Sequence, residues 1–244
     1  MATEHVIIIL LGALAGGFVS GLAGFGTGIT AMGIWLYALS PPVAAALVVV
    51  CSVAAATQTL PMIWHAIDAR RVVPFIVPGL IGVPIGTVLL SYIDARAFKI
   101  GTGGLLLIYS VCLILLRSPL KSGWGGRLAD GAIGFGGGVL GGLAGLSGPL
   151  PTMWASIRGW PKDERRGVFQ AFNLSILGAA LLSYAIAGLL TKDVGWATLA
   201  ALPGTIGGAW IGARIYGRLS ERRFYEIILL LLGVSGGMLI WTNV

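Results

Sequence analysis

Two runs of glycine interrupt apolar sequence, and each carries hydroxyl residues at the interruption. Thr27 and Thr30 lie in GGFVSGLAGFGTGITAM, Gly16 to Met32, while Ser147 and Thr152 lie in GGVLGGLAGLSGPLPTM, Gly137 to Met153, about 120 residues later. Where a helix restarts, its first N–H groups have no intrahelical partner and its dipole is positive, so a small oxyanion can be held there without a formal charge. Glycine adds close approach of ligand to backbone. The candidate ligands are therefore Gly24, Gly26, Thr27 and Gly28 in the first run and Gly145, Ser147 and Gly148 in the second. Gln58 and Asn173 join them, because an amide in hydrocarbon is costly until it meets a partner; lining a pathway and bonding a neighbouring helix both satisfy that need. The spacings Gly17 to Gly21 and Gly138 to Gly142 have a competing use, close packing of helices.

The solvent for these elements follows from composition. With 57% hydrophobic residues, 10% charged and a mean hydropathy of +0.93, the 244-residue chain has more apolar surface than a soluble domain can bury. It reads as an integral membrane protein, in which 39 glycines and 11 prolines fit closely packed and interrupted helices. The net charge of +7 is spread over links between apolar segments, which excludes the concentrated basic face of a nucleic-acid binder. Cys51 and Cys112 sit in apolar segments without metal-ligand spacing and read as packing residues. The start, MATEH, lacks the basic region of a signal peptide, so the first apolar run is expected to remain as structure.

A crossing helix needs roughly 20 apolar residues. By that measure about eight segments are expected, near 6–38, 43–64, 72–92, 100–116, 131–157, 168–190, 194–213 and 224–242. The first and fifth are too long and too glycine-rich for plain helices: each is either broken midway or a re-entrant pair. The expected fold is an all-α polytopic membrane protein of two repeats. The first repeat covers residues 1–117, a link 118–130 and the second repeat 131–244. Gly82 and Gly86, followed by Arg96 and Phe98, match Gly208 and Gly212, followed by Arg222 and Phe224, which extends the duplication beyond the glycine runs. Duplicated transporters bind substrate near the midplane where repeats meet. Four crossings per half give repeats of one orientation, whereas a re-entrant first segment gives inverted ones. If all eight segments cross, ten Lys and Arg fall on one side and six on the other, with both termini outside the cytoplasm.

No Asp or Glu is expected deep in a span, so a cation cage or acidic proton relay has little support, and a neutral-to-positive cavity suits an anion. His65, beside Asp68 and Arg70, reads as a loop-end residue. There is no phosphate-cradling GxxxxGK[ST], no HExxH and no nucleophile elbow, so neither ATP-driven pumping by this chain alone nor metalloprotease chemistry is expected.

The repeated GLAGFGTG and GLAGLSGP, each followed by a proline-marked link, together with Gly82/Gly86 and Gly208/Gly212 and their arginine-bearing links, resemble the sulfite exporter TauE/SafE family over nearly the whole chain. Gly145, Ser147, Gly148 and Pro149 are close to the family pattern, while Gly26-Thr27-Gly28 stands where many members have a glycine triplet. The resemblance implies a multi-pass permease of a bacterial-type inner membrane, carrying sulfite, sulfoacetate or other sulfonates. Its expected partners are a small sulfur oxyanion and the lipid bilayer, with a homodimer left open; no cofactor, metal or nucleic acid is expected. An anion channel and a non-transporting membrane scaffold are the alternatives.

Overall fold

A computed structural model describes residues 3–62, 64–115 and 126–216. The eighth expected segment, most of the expected link, Arg222 and Phe224 lie outside the described residues. Among those described there is no strand. The helices are α1 (Thr3–Ala23), α2 (Thr27–Trp35), α3 (Pro41–Thr59), α4 (Ala69–Tyr92), α5 (Ala95–Leu115), α6 (Gly126–Ala144), α7 (Pro149–Ile157), α8 (Lys162–Ile186) and α9 (Lys192–Tyr216). Five of them are long and apolar enough to cross a membrane: those within Glu4–Ala23, Pro41–Met62, Ala69–Tyr92, Glu164–Ile186 and Lys192–Tyr216.

Helix starts are set by local chemistry, and this moves several boundaries outward from the apolar runs. Pro41 and Pro42 open α3, where a missing N–H costs nothing. Asp68 caps α4 by accepting from the Arg70 N–H at 2.9 Å, so the helix begins before its first apolar residue. Similarly, α8 starts at Lys162, ahead of the expected 168, and α6 starts at Gly126, inside the stretch expected to be link. Periodicity sees only the apolar part of such helices. Asp130, Arg165 and Arg166, read as link residues from sequence, are therefore helical.

The first and fifth expected segments each resolve into a long helix, a glycine break and a nine-residue helix that turns back. Gly16 of α1 faces both Thr27 and Ala31 of α2, and further along the Trp35 indole donates to the Ile9 carbonyl at 3.1 Å. The two helices are thus antiparallel. The α6–α7 pair repeats this: Leu150 lies over Gly136, and the Trp154 indole donates to Asp130 Oδ1 at 2.7 Å.

Direction along the bundle follows from register. Gly17 meets Thr205 and Gly21 meets Ala209, equal steps in the same sense, so α1 and α9 are parallel. Gly134, Gly138 and Gly142 meet Phe75, Gly79 and Val83 in the same way, so α4 and α6 are parallel too. Phe172 and Ile176 of α8 lie against Gly137 and Gly141 of α6, which adds α8 to the second set. Tyr216 at the end of α9 stacks under Arg166 near the start of α8, so the two sets oppose each other. The helices carrying the two glycine runs, α1 and α6, consequently point in opposite directions. One end of the bundle, the arginine end, gathers the starts of α4, α6 and α8 and the end of α9.

Both parallel pairs are glycine seams. A Cβ on Gly17, Gly21, Gly208 or Gly212 would overlap backbone of the facing helix, as would one on Gly82, Gly86, Gly138 or Gly142. At these positions the packing use of small residues wins over ligand binding. Gly138→Val should destabilise the protein by about 1–3 kcal/mol or more by overpacking. Its expected signature is a lower melting temperature and less monodisperse protein in detergent, with anion affinity unchanged in whatever fraction folds; a stable variant with lost affinity would put Gly138 in the binding site.

Candidate anion site

The two breaks touch. Gly28 in the first turn of α2 lies against Leu146 and the Gly145 carbonyl, and Gly148 lies against the Phe25 ring. The turns between long and short helices need left-handed backbone, with φ of 80° at Gly24, 119° at Gly26 and 67° at Gly145, which only glycine adopts without strain. What remains of each break is a short helix aimed with its N-terminus at the other.

The two helix starts differ in what they present. The first turn of α2 offers the N–H groups of Thr27, Gly28 and Ile29. In α7 the residues Pro149 and Pro151 carry no N–H, so that start is poorer in backbone donors. Side chains compensate: Ser147, fully buried, donates to Oδ1 of Asn173, itself 3% exposed. With its oxygen so engaged, the Asn173 amide keeps its two N–H donors for another acceptor. Thr27 is fully buried, and its hydroxyl has no hydrogen-bond partner among the described residues. Thr30 and Thr152 are committed to their own helices, donating to Gly26 O at 2.6 Å and Gly148 O at 2.7 Å.

A cation stands at the first break. Arg166, 4% exposed, donates to the Gly21 carbonyl at 2.9 Å, and its guanidinium lies 3.8 Å from the centre of the Tyr216 ring. A Cβ on Gly24 would sit 3.4 Å from both Arg166 Cγ and Gln170 Oε1. Gln170 reaches the other way, donating to Thr59 Oγ1 at 2.7 Å and to Ala56 O at 3.1 Å, and so ties α8 to the end of α3. Glu164, two residues before Arg166, is engaged by Arg71, and the buried Asp130 of α6 by Arg158.

Ser147 is bonded to an amide, which cannot take its proton, so no nucleophile–base pair is formed. Helix N-termini, amide donors and a buried guanidinium are the groups that favour a small anion. The profile of the sulfite exporter TauE/SafE family matches residues 8–239. The chain belongs to that family. As a TauE/SafE protein it is a multi-pass membrane protein of a family of sulfur-anion transporters. Searches of curated proteins and of solved structures return no match.

For this TauE/SafE chain, seven of the nine residues singled out from sequence lie in the two apposed breaks, Gly24, Gly26, Thr27 and Gly28 in one and Gly145, Ser147 and Gly148 in the other, with direct contact at Gly28 and Gly148. Asn173 joins through Ser147. Gln58 is placed apart, donating to the Ile206 carbonyl at 3.3 Å across the α3–α9 contact. Sequence reasoning missed Arg166, grouped with link charges although α8 buries it, and it missed Asp130, an 8%-exposed carboxylate inside α6. The available signal was length: both lie within one helical turn or so of an apolar run, close enough for a capped helix to include them.

Proposed function

We propose that the protein carries sulfite or a small sulfonate across the inner membrane, outward from the cytoplasm, by exposing one site alternately to each side. The anion is held between the breaks by the α2 amides, Thr27, the Asn173 amide oriented by Ser147, and Arg166. The observation that carries this reading is the apposition of the two breaks beside a buried arginine. Thr27 and Ser147 are fully buried, which favours an occluded carrier over an open anion channel.

The helix directions support two inverted repeats, residues 1–117 and 131–244, whose leading helices α1 and α6 each turn back in a re-entrant hairpin. They also sharpen orientation. Arg70, Arg71, Arg127, Arg158, Arg165, Arg166 and Arg214 lie toward the arginine end, against Arg96, Lys99 and Lys192 toward the other. By the positive-inside rule the arginine end is cytoplasmic and the N-terminus outside. Because α1 is seamed to α9 and α4 to α6, the bundles that move are mixed from both repeats.

A thermal-shift screen of purified protein tests the proposal, with sulfite, sulfoacetate, taurine, thiosulfate, sulfate and simple carboxylates, followed by flux in liposomes. Stabilisation by sulfite or a sulfonate with saturable flux is expected; a response only to cations or neutral solutes overturns it, and binding with no flux would leave a non-transporting scaffold. Thr27→Val should weaken the best anion about tenfold, the value of one charge-assisted hydrogen bond. Unchanged affinity would mean that backbone amides alone serve the first break.

A further inference from the structure

Two depressions adjoin at the arginine end. One, of about 530 Å³, is a polar cup lined by Arg70, Arg71, Arg127 and Arg158 with Asp130 and Glu164. The other, of about 990 Å³, is an apolar groove along the outer faces of α4 and α6, over Val73, Val77, Pro78, Leu128 and Gly131. Arg70, Pro74 and Arg127 line both, so the cup opens directly into the groove. Gly131 makes the groove floor: a Cβ there would come 3.5 Å from Pro78 Cγ. Leu128, 93% exposed, and Val73 and Val77, 51% and 56% exposed, flank it.

The charges of the cup are unevenly balanced. Arg71 pairs with Glu164 and Arg158 with Asp130, whereas among the described residues neither Arg70 nor Arg127, both exposed, is in an ion pair. Their two positive charges stand where the cup meets the groove.

We propose that cup and groove together bind an anionic phospholipid of the cytoplasmic leaflet, its phosphate on Arg70 and Arg127 and an acyl chain in the groove. This stands apart from the transport site. A soluble phosphate would use the cup alone; the continuous apolar groove, on a surface that faces hydrocarbon, fits a chain attached to that phosphate. A zwitterionic lipid brings its own cation toward two uncompensated arginines and is disfavoured.

The test is native mass spectrometry and thermal shift of detergent-purified protein titrated with dioleoyl phosphatidylglycerol, dioleoyl phosphatidylcholine or inorganic phosphate. Phosphatidylglycerol should be retained and stabilising, with the other two much weaker. The double variant Arg70→Gln/Arg127→Gln should lose about tenfold or more of that affinity. Gly131→Leu, which fills the groove and leaves the arginines, should weaken the lipid and leave phosphate binding as it was. Equal binding of phosphatidylcholine, displacement of the lipid by millimolar phosphate, or parental lipid affinity in the double variant would each overturn the proposal.

Discussion

Replacing Arg166 by Gln should raise the dissociation constant for the transported anion by one to two orders of magnitude. A hydrogen bond to a charged group contributes about 1.5–3 kcal/mol, and each 1.4 kcal/mol is tenfold. Arg166 is the one buried described arginine beside the first break, next to Gly24 and bonded to Gly21. The control is Lys192→Gln at the opposite end, which lowers net charge equally but should change affinity little. If the two variants bind alike, Arg166 acts only as part of a diffuse positive field. Since Arg166 also holds the Gly21 carbonyl, thermal stability must be read beside affinity; Arg166→Lys keeps the charge and should recover part of the binding.

The second large effect is expected at Asn173. Asn173→Leu has similar bulk and removes both amide donors, so anion affinity should fall about ten- to a hundredfold. Ser147→Ala should cost about tenfold by releasing the amide from its orientation. If Ser147 works through Asn173, the double variant is no worse than Asn173→Leu alone, and a double-mutant cycle on binding reads this directly. Additive losses would show instead that each side chain meets the anion independently, and parental affinity in both single variants would leave them as packing residues.

Much of this site is legible in the sequence alone. The matched glycine runs announced two breaks, and their surroundings of Leu, Ile and Val announced the bilayer, because interrupted helices there need a buried partner for their backbone. Other parts depended on contacts distant in sequence. Gln58 and Gln170 are both amides in apolar segments, and nothing local says that one bonds the Ile206 carbonyl while the other stands beside Gly24. Arg166 follows another arginine and precedes an apolar run, the usual appearance of a link; the groups that engage it include Gly21 and Tyr216, far away in the chain. The orientation of the halves was open because it depends on whether α2 continues or turns back, which is decided by left-handed backbone at Gly24 and Gly26. Glycine permits that conformation without requiring it.

The α1–α9 seam also sets a schedule for synthesis. Gly17 and Gly21 have their surface completed by Thr205 and Ala209. At about 5–20 residues per second, the ribosome takes roughly 10–40 seconds to cover that interval, during which the first helix waits in lipid without its final neighbour. The α4–α6 seam closes much sooner, after roughly a third of that stretch of chain. The nascent protein thus acquires one firm pair in its middle while its earliest helix, already paired with α2, keeps its α9-facing side open until α9 emerges. A stall before Lys192 would leave Gly17 and Gly21 without the backbone that covers them.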